Sequence, residues 1–188
     1  MLDHFGFFAP FYDRVFGAPD PARLRHLLRL PVNGRLLDVG GGTGRVSAQL
    51  RPYVDELFIS DVSLEMLRQA QGKGMCCPAA AHAEKLPFAD ESFERVLVVD
   101  ALHHFWDQEA AVVELLRILK PGGRLVIEEP DLSRWGVKMV AVAEKLMLMQ
   151  SRFYYPREIR EMVVAQGVAA QIINDGGFAT WVLADKQE

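Results

Sequence analysis

Cysteine is scarce: Cys76 and Cys77 are the only two, and they are neighbours. Adjacent thiols give neither a disulfide framework nor a zinc-ligand spacing. An excess of positive charge is also missing, since 21 Lys and Arg stand against 25 Asp and Glu, for a net charge of −4. Nucleic-acid binding is therefore not expected, because it needs a basic face. No basic segment followed by an apolar one opens the chain, so no secretory signal is read. Long hydrophobic runs are lacking too. The most apolar late stretch, VKMVAVAEKLMLMQ, is broken by Lys138, Glu144 and Lys145, and is too short and too charged to span a bilayer. His4, His26 and His82 are too scattered to make a metal site. There is no internal repeat, low-complexity tract or linker. A cytoplasmic location is expected, and nothing indicates an oligomer.

What is present is an alternation of apolar runs and amphipathic stretches from residue 35 onward, the pattern of a parallel sheet covered by helices on both faces. Strands are expected at Arg35–Val39, Glu56–Ser60, Met75–Ala80, Arg95–Val99 and Arg124–Glu129, with helices near Arg45–Arg51, Ser63–Gln71 and Asp107–Leu119. LKPGG reads as the stop after the third of these helices. Near the end, AQIIND and FATWVLAD are strand-like, and Gly176-Gly177 between them predicts an antiparallel hairpin. YYPREIREMVVAQG before them reads as a helix, opened by Pro156 and closed by Gly167. Residues 1–30 differ: an aromatic-rich opening precedes a short helix in DPARLRHLLRL, with Asp20 as its cap and Pro21 in its first turn. The expected fold is α/β, Rossmann-like and doubly wound. It has a mostly parallel seven-stranded sheet, an antiparallel C-terminal hairpin and a helical N-terminal cap. One domain is expected over 1–188, with 1–30 as the cap and 31–188 as the core.

The most informative stretch is LLDVGGGTGRVS, where Gly40, Gly41, Gly42 and Gly44 follow an apolar run and Asp38. Glycine loses more backbone freedom on folding than any other residue, so this density implies a sharp turn or close approach of the backbone to something. The turn falls at the carboxyl end of the first strand, where open α/β sheets bind ligands. The dinucleotide fingerprint is not met, because Arg45 stands where its third glycine belongs, and no Lys-Ser/Thr pair makes a phosphate-binding loop. Asp61 ends the second strand, where such sheets place the acid that binds a ribose diol. Ser63 is the better candidate for capping the helix that follows.

Taken together, the glycine loop, the acid at 61, the box AEKLPF at Ala83–Phe88 and LKPGG at Leu119–Gly123 resemble the class I S-adenosylmethionine-dependent methyltransferases, over essentially the whole chain. Within them the chain is most similar to the branch that contains the ubiquinone/menaquinone-biosynthesis C-methyltransferases. The resemblance implies S-adenosyl-L-methionine as cofactor and methyl transfer to a small, apolar or aromatic acceptor by in-line displacement. It implies that Asp38, Gly40, Gly41 and Gly42 hold the methionine end. Asp61 would take the ribose hydroxyls, Val62, Ala83 and Glu84 would border the adenine, and Val99 and Asp100 would sit near the sulfonium. Tyr12 would close the pocket from the cap. His82 stands where the family commonly has Asp or Asn. His104, and second to it His103, are the candidates for a general base, since imidazole titrates near neutral pH. Trp135, Met139 and Phe153 are candidates for lining the acceptor pocket. The alternative is a non-catalytic methyltransferase-like binding module. A nicotinamide-dependent oxidoreductase is disfavoured by Arg45. A nucleic-acid methyltransferase is disfavoured because VDALHHF stands where its D/N-P-P-Y/F motif would be.

Overall fold

The structure, a computed structural model, describes residues 20–73, 77–139, 151–174 and 176–188. Among them twelve principal elements follow in order: α1 (Pro21–Leu27), β1 (Val32–Val39), α2 (Ser47–Leu50), β2 (Val54–Asp61), α3 (Leu64–Gly72), β3 (Cys77–Ala80), β4 (Phe93–Val99), α4 (Gln108–Ile118), β5 (Leu119–Pro130), α5 (Pro156–Ala165), β6 (Ala170–Ile173) and β7 (Ala179–Asp185). The seven strands form one sheet in the order β3-β2-β1-β4-β5-β7-β6. β1, β2, β3, β4 and β5 are mutually parallel, whereas β7 runs antiparallel to both β5 and β6. The strand order reverses between β1 and β4, and that switch opens a crevice at the carboxyl ends of these strands.

Side chains alternate across each strand, so the central strands feed two cores at once. Leu37, Val96, Val98, Leu125 and Ile127 pack with Ala111 and Leu115 of α4 and with Ile159 and Val163 of α5. On the other face Leu36, Leu57, Leu97 and Val126 pack with Leu24 and Leu27 of α1, Leu50 of α2 and Leu67 of α3. Parallel strands buried on both faces need near-continuous apolar runs, which is why they were readable. Phe58, Phe88 and Phe93 meet edge-on with ring centroids 5.0–5.9 Å apart, which seats the end of the AEKLPF box in the first core.

Local signals behave as expected at the helix ends. Asp20 accepts from the Ala22 N–H at the start of α1, Ser63 from Met66 at the start of α3, and Asp107 from Ala110 at the start of α4. Gly167 follows α5 with φ +80°, a left-handed residue that closes the helix. LKPGG departs from its expected role. α4 ends at Ile118, and Leu119 already pairs with Phe93 as the first residue of β5. The next ladder pair is Arg95 with Arg124, so residues 120–123 bulge within the strand, with Gly122 at φ +73°. Cys77 lies on the edge strand β3 and is half-buried, where a buried strand was expected. Cys76 and the start of the expected third strand fall outside the described residues. No helix among the described residues is long and apolar enough to cross a membrane.

Candidate functional site

The crevice is built first from the turn that leaves β1. Gly40 and Gly41 donate their N–H groups to the Ser60 carbonyl at 2.8 and 3.1 Å, which ties the glycine loop to the end of β2. Gly40 has φ +71°, and a Cβ there would meet the Ala101 Cβ at 2.6 Å. The loop therefore passes against the end of β4 at a distance only glycine permits. Gly42, at φ +55°, lies on the open side, and a Cβ would project toward Asp61 Oδ2 and Met66 Sδ, each 3.9 Å away. Its N–H donates to Asp61 Oδ2 at 2.9 Å, while Asp61 Oδ1 accepts from the Ser63 N–H at 2.8 Å. Two backbone donors thus fix the Asp61 carboxylate at the end of β2 beside the glycine loop.

Asp38 sits beneath this loop and is almost wholly buried. The Ser47 hydroxyl donates to its Oδ2, and its Oδ1 has no hydrogen-bond partner among the described residues. Burial pushes the Asp38 carboxyl up to about 6, against the Ser47 hydrogen bond and the Arg45 guanidinium, which pull it down. A buried carboxylate oxygen without a donor is costly and in need of explanation. Asp38, Gly40, Gly41, Gly42 and Asp61 are brought together at the switch point. Val62 is 59% exposed beside Asp61. Ala83 is buried, and Glu84 accepts from the Asp107 N–H at 2.9 Å, which links the loop after β3 to the start of α4. His82 points largely to solvent, its Nδ1 3.9 Å from Glu84. Tyr12 lies outside the described residues.

β4 delivers the remaining candidates. Val99 is buried at its end, and Asp100 follows in a left-handed conformation, φ +53°, unusual for a residue with a side chain. A short 3-10 turn, Leu102–His104, comes next. Glu129 of β5 holds this turn: its Oε1 accepts from the Ala101 and Leu102 N–H groups at 3.0 and 2.7 Å. His103 Nδ1 stands 2.6 Å from the second oxygen, Oε2. The His103 ring is 3% exposed, stacked 4.3 Å from Phe153 and tilted against His104 at 3.9 Å. His104 Nδ1 lies 3.1 Å from the Ser151 hydroxyl. Burial, and then the neighbouring His103, push the His104 imidazole down to about 3.

Enclosure therefore holds the His104 imidazole neutral at neutral pH and weakens it as a proton acceptor. Sequence reasoning missed Glu129 and Glu128. The signal was available in VIEEP, where two acids end an apolar strand and alternation sends them to opposite faces. Of the expected acceptor-pocket residues, Phe153 reaches the His103 ring, whereas Trp135 and Met139 are exposed. Residues 140–150 of the same stretch lie outside the described residues.

Comparison with known proteins bears on this geometry. A family profile described as a methyltransferase domain matches residues 37–127, from β1 to β5. The ubiquinone/menaquinone biosynthesis C-methyltransferase of Neisseria gonorrhoeae is 30% identical over 171 residues, covering 81% of this chain and 70% of that protein. Its counterpart in Chromobacterium violaceum is 31% identical over 162 residues, covering 77% of this chain and 66% of the relative. Against a third relative of the same description, from Bordetella avium, the match takes in 40% of that protein's length. Among solved structures, a SAM-dependent methyltransferase of Thermotoga maritima superposes over 100% of both chains with a TM-score of 0.81 and 25% identity.

Proposed function

The chain belongs to the class I S-adenosylmethionine-dependent methyltransferases, and we propose that it moves a methyl group to a small apolar or aromatic acceptor of the phenol or hydroquinone class. The observation that carries the reading is the crevice at the switch point, where the glycine loop joins a fixed Asp61 carboxylate to a buried Asp38 with one unpartnered oxygen. These residues fit the donor. Asp61 presents paired oxygens to a diol, the opening above Gly42 admits a ligand where a side chain would fill it, and Asp38 lacks a donor of the kind an α-ammonium group brings. Bound there, S-adenosylmethionine would supply a methyl group activated by its bond to a positively charged sulfur.

The protein's part is placement. Holding two reactants at near-attack distance is worth about 7–11 kcal/mol in well-oriented systems. Asp61 and the loop backbone fix the donor, and Val99 and Asp100 border the reacting end. The Glu129–His103 pair anchors the turn after β4, so its task is to position the acceptor's side of the crevice. Neither histidine is assigned a proton-transfer role. His103 is enclosed with its Nδ1 committed to Glu129, and His104 is held neutral. The phenol or hydroquinone assignment rests on the relatives, which are C-methyltransferases of quinone biosynthesis by description.

Calorimetric titration with S-adenosylhomocysteine, with NADH as the control ligand, tests the cofactor site. Saturable micromolar binding of the first alone, lost in Asp61→Ala, supports the reading. Absence of binding overturns it. A screen of phenols and hydroquinones with radiolabelled donor then tests the acceptor class. Donor binding without any turnover would leave a binding module in its place.

A further inference from the structure

The site contains an acid that the family resemblance does not assign. Glu128 pairs with Val99 in the β4–β5 ladder, and the Asp100 N–H donates to the Glu128 carbonyl at 3.0 Å. By strand alternation its side chain shares a face with Val126, which packs with Leu36 of β1, opposite to Glu129. Glu128 Oε2 is shut off from solvent and has no hydrogen-bond partner among the described residues. The charged groups around it come from every element that meets there. They are Asp100 at the end of β4, Arg45 of the glycine loop, Glu129 on its own strand and Arg23 of α1. Arg23 also lies over the ring of Trp181, the β7 residue paired with Glu128, 5.2 Å from the ring centroid.

Two carboxyl groups, Asp100 and Glu128, therefore stand together at the tip of β4 beside the glycine loop. Glu128 has an oxygen that nothing among the described residues satisfies. An enclosed carboxyl oxygen beside a second acid favours the neutral form of its group until a positive charge arrives. Burial, reinforced by Asp100, pushes the Glu128 carboxyl up to about 8, against the opposing pull of Arg45 and Arg23. At neutral pH the empty site thus carries this carboxyl mostly in its neutral form.

Building on the donor site assigned above, we propose that Glu128, beside Asp100, is the counter-charge for the donor's sulfonium, holding its proton in the empty site and releasing it to solvent when the sulfonium binds. The exchange balances, since one positive charge enters as one proton leaves. S-adenosylhomocysteine has the same α-ammonium and ribose but no sulfonium, so it leaves the proton in place. Glu128 would then distinguish donor from spent product by charge alone, and methyl transfer would be followed by proton uptake that eases product release.

The experiment is calorimetric titration of the whole chain at pH 7 in two buffers of different ionisation enthalpy, once with S-adenosylmethionine and once with S-adenosylhomocysteine. The expected result is about 0.9 more protons released per donor bound than per product bound, the protonated fraction of a group titrating near 8. Glu128→Gln should abolish that difference while S-adenosylhomocysteine still binds. Asp100→Asn, which removes the like charge while keeping the shape, should reduce the proton count without abolishing binding. Equal proton counts for the two ligands would overturn the proposal, as would a difference that survives Glu128→Gln. If the wild-type protein bound neither ligand, the donor site itself would fall, an outcome distinct from equal proton counts.

Discussion

Replacing Asp38 by asparagine should make the protein without ligand more stable while weakening its hold on the donor. Burial raises this carboxyl from 3.8 to about 6. An acid with a higher pKa folded than unfolded costs stability as pH rises above the unfolded value, and the cost is complete above the folded value. Here the cost is negligible well below pH 3.8 and complete above pH 6, where about two units correspond to about 3 kcal/mol. The substitution removes it. The new amide group that takes the place of Oδ1 also lacks a partner, which offsets about 1 kcal/mol. A net gain of about 2 kcal/mol is expected at pH 8, turning to a small loss below pH 4. Urea denaturation followed by tryptophan fluorescence at pH 4, 6 and 8 measures it. Loss of stability at pH 8, or a gain independent of pH, would refute the account of Asp38 as a buried charge held for a ligand. Saturation with S-adenosylhomocysteine at about 100 times its dissociation constant should add about 2.7 kcal/mol to the wild type, and distinctly less to the variant.

Glu129→Ala leaves two backbone N–H groups and the His103 Nδ1 without their acceptor in a buried turn, and should cost about 3–5 kcal/mol in denaturation. Glu129→Gln keeps one oxygen for the two N–H groups and should cost less than half as much. His104→Asn should retain at least a tenth of turnover with any acceptor found in the screen, because loss of a general base costs roughly 100-fold or more. A larger loss would restore His104 as a proton carrier. Gly40→Ala, which puts a Cβ 2.6 Å from that of Ala101 at a left-handed φ, should abolish calorimetric binding of S-adenosylhomocysteine, and binding within tenfold of wild type would contradict the close approach.

The elements that proved legible were those whose physics is local. β1, β2, β4 and β5 show as apolar runs because both faces of a parallel strand are buried. Asp20, Ser63 and Pro156 mark helix starts through hydrogen bonds within a few residues, or through a missing one. Asp38, Asp61 and the glycines were legible because a tight turn at a strand end constrains its residue types. What escaped depends on register between distant segments. Glu129 meets His103 only because β5 lies beside β4 with Val99 opposite Glu128. Sequence alone does not announce that a bulge at 120–123 precedes this register. Local turn chemistry identified the β6–β7 hairpin, but the insertion of β7 between β5 and β6 follows from the sheet as a whole.

That insertion has a consequence for synthesis. On a ribosome the strands appear in the order β1 to β7, yet the last to emerge occupies an interior place in the sheet. Until residues 179–185 are free of the exit tunnel, β5 presents an unpaired edge over seven positions, Arg124 to Pro130, rich in Leu, Val and Ile. An edge of that kind is a template for pairing with another chain. Glu128 and Glu129 sit on this edge while it is open, so the same acids also place charge on a strand exposed to pairing with another chain.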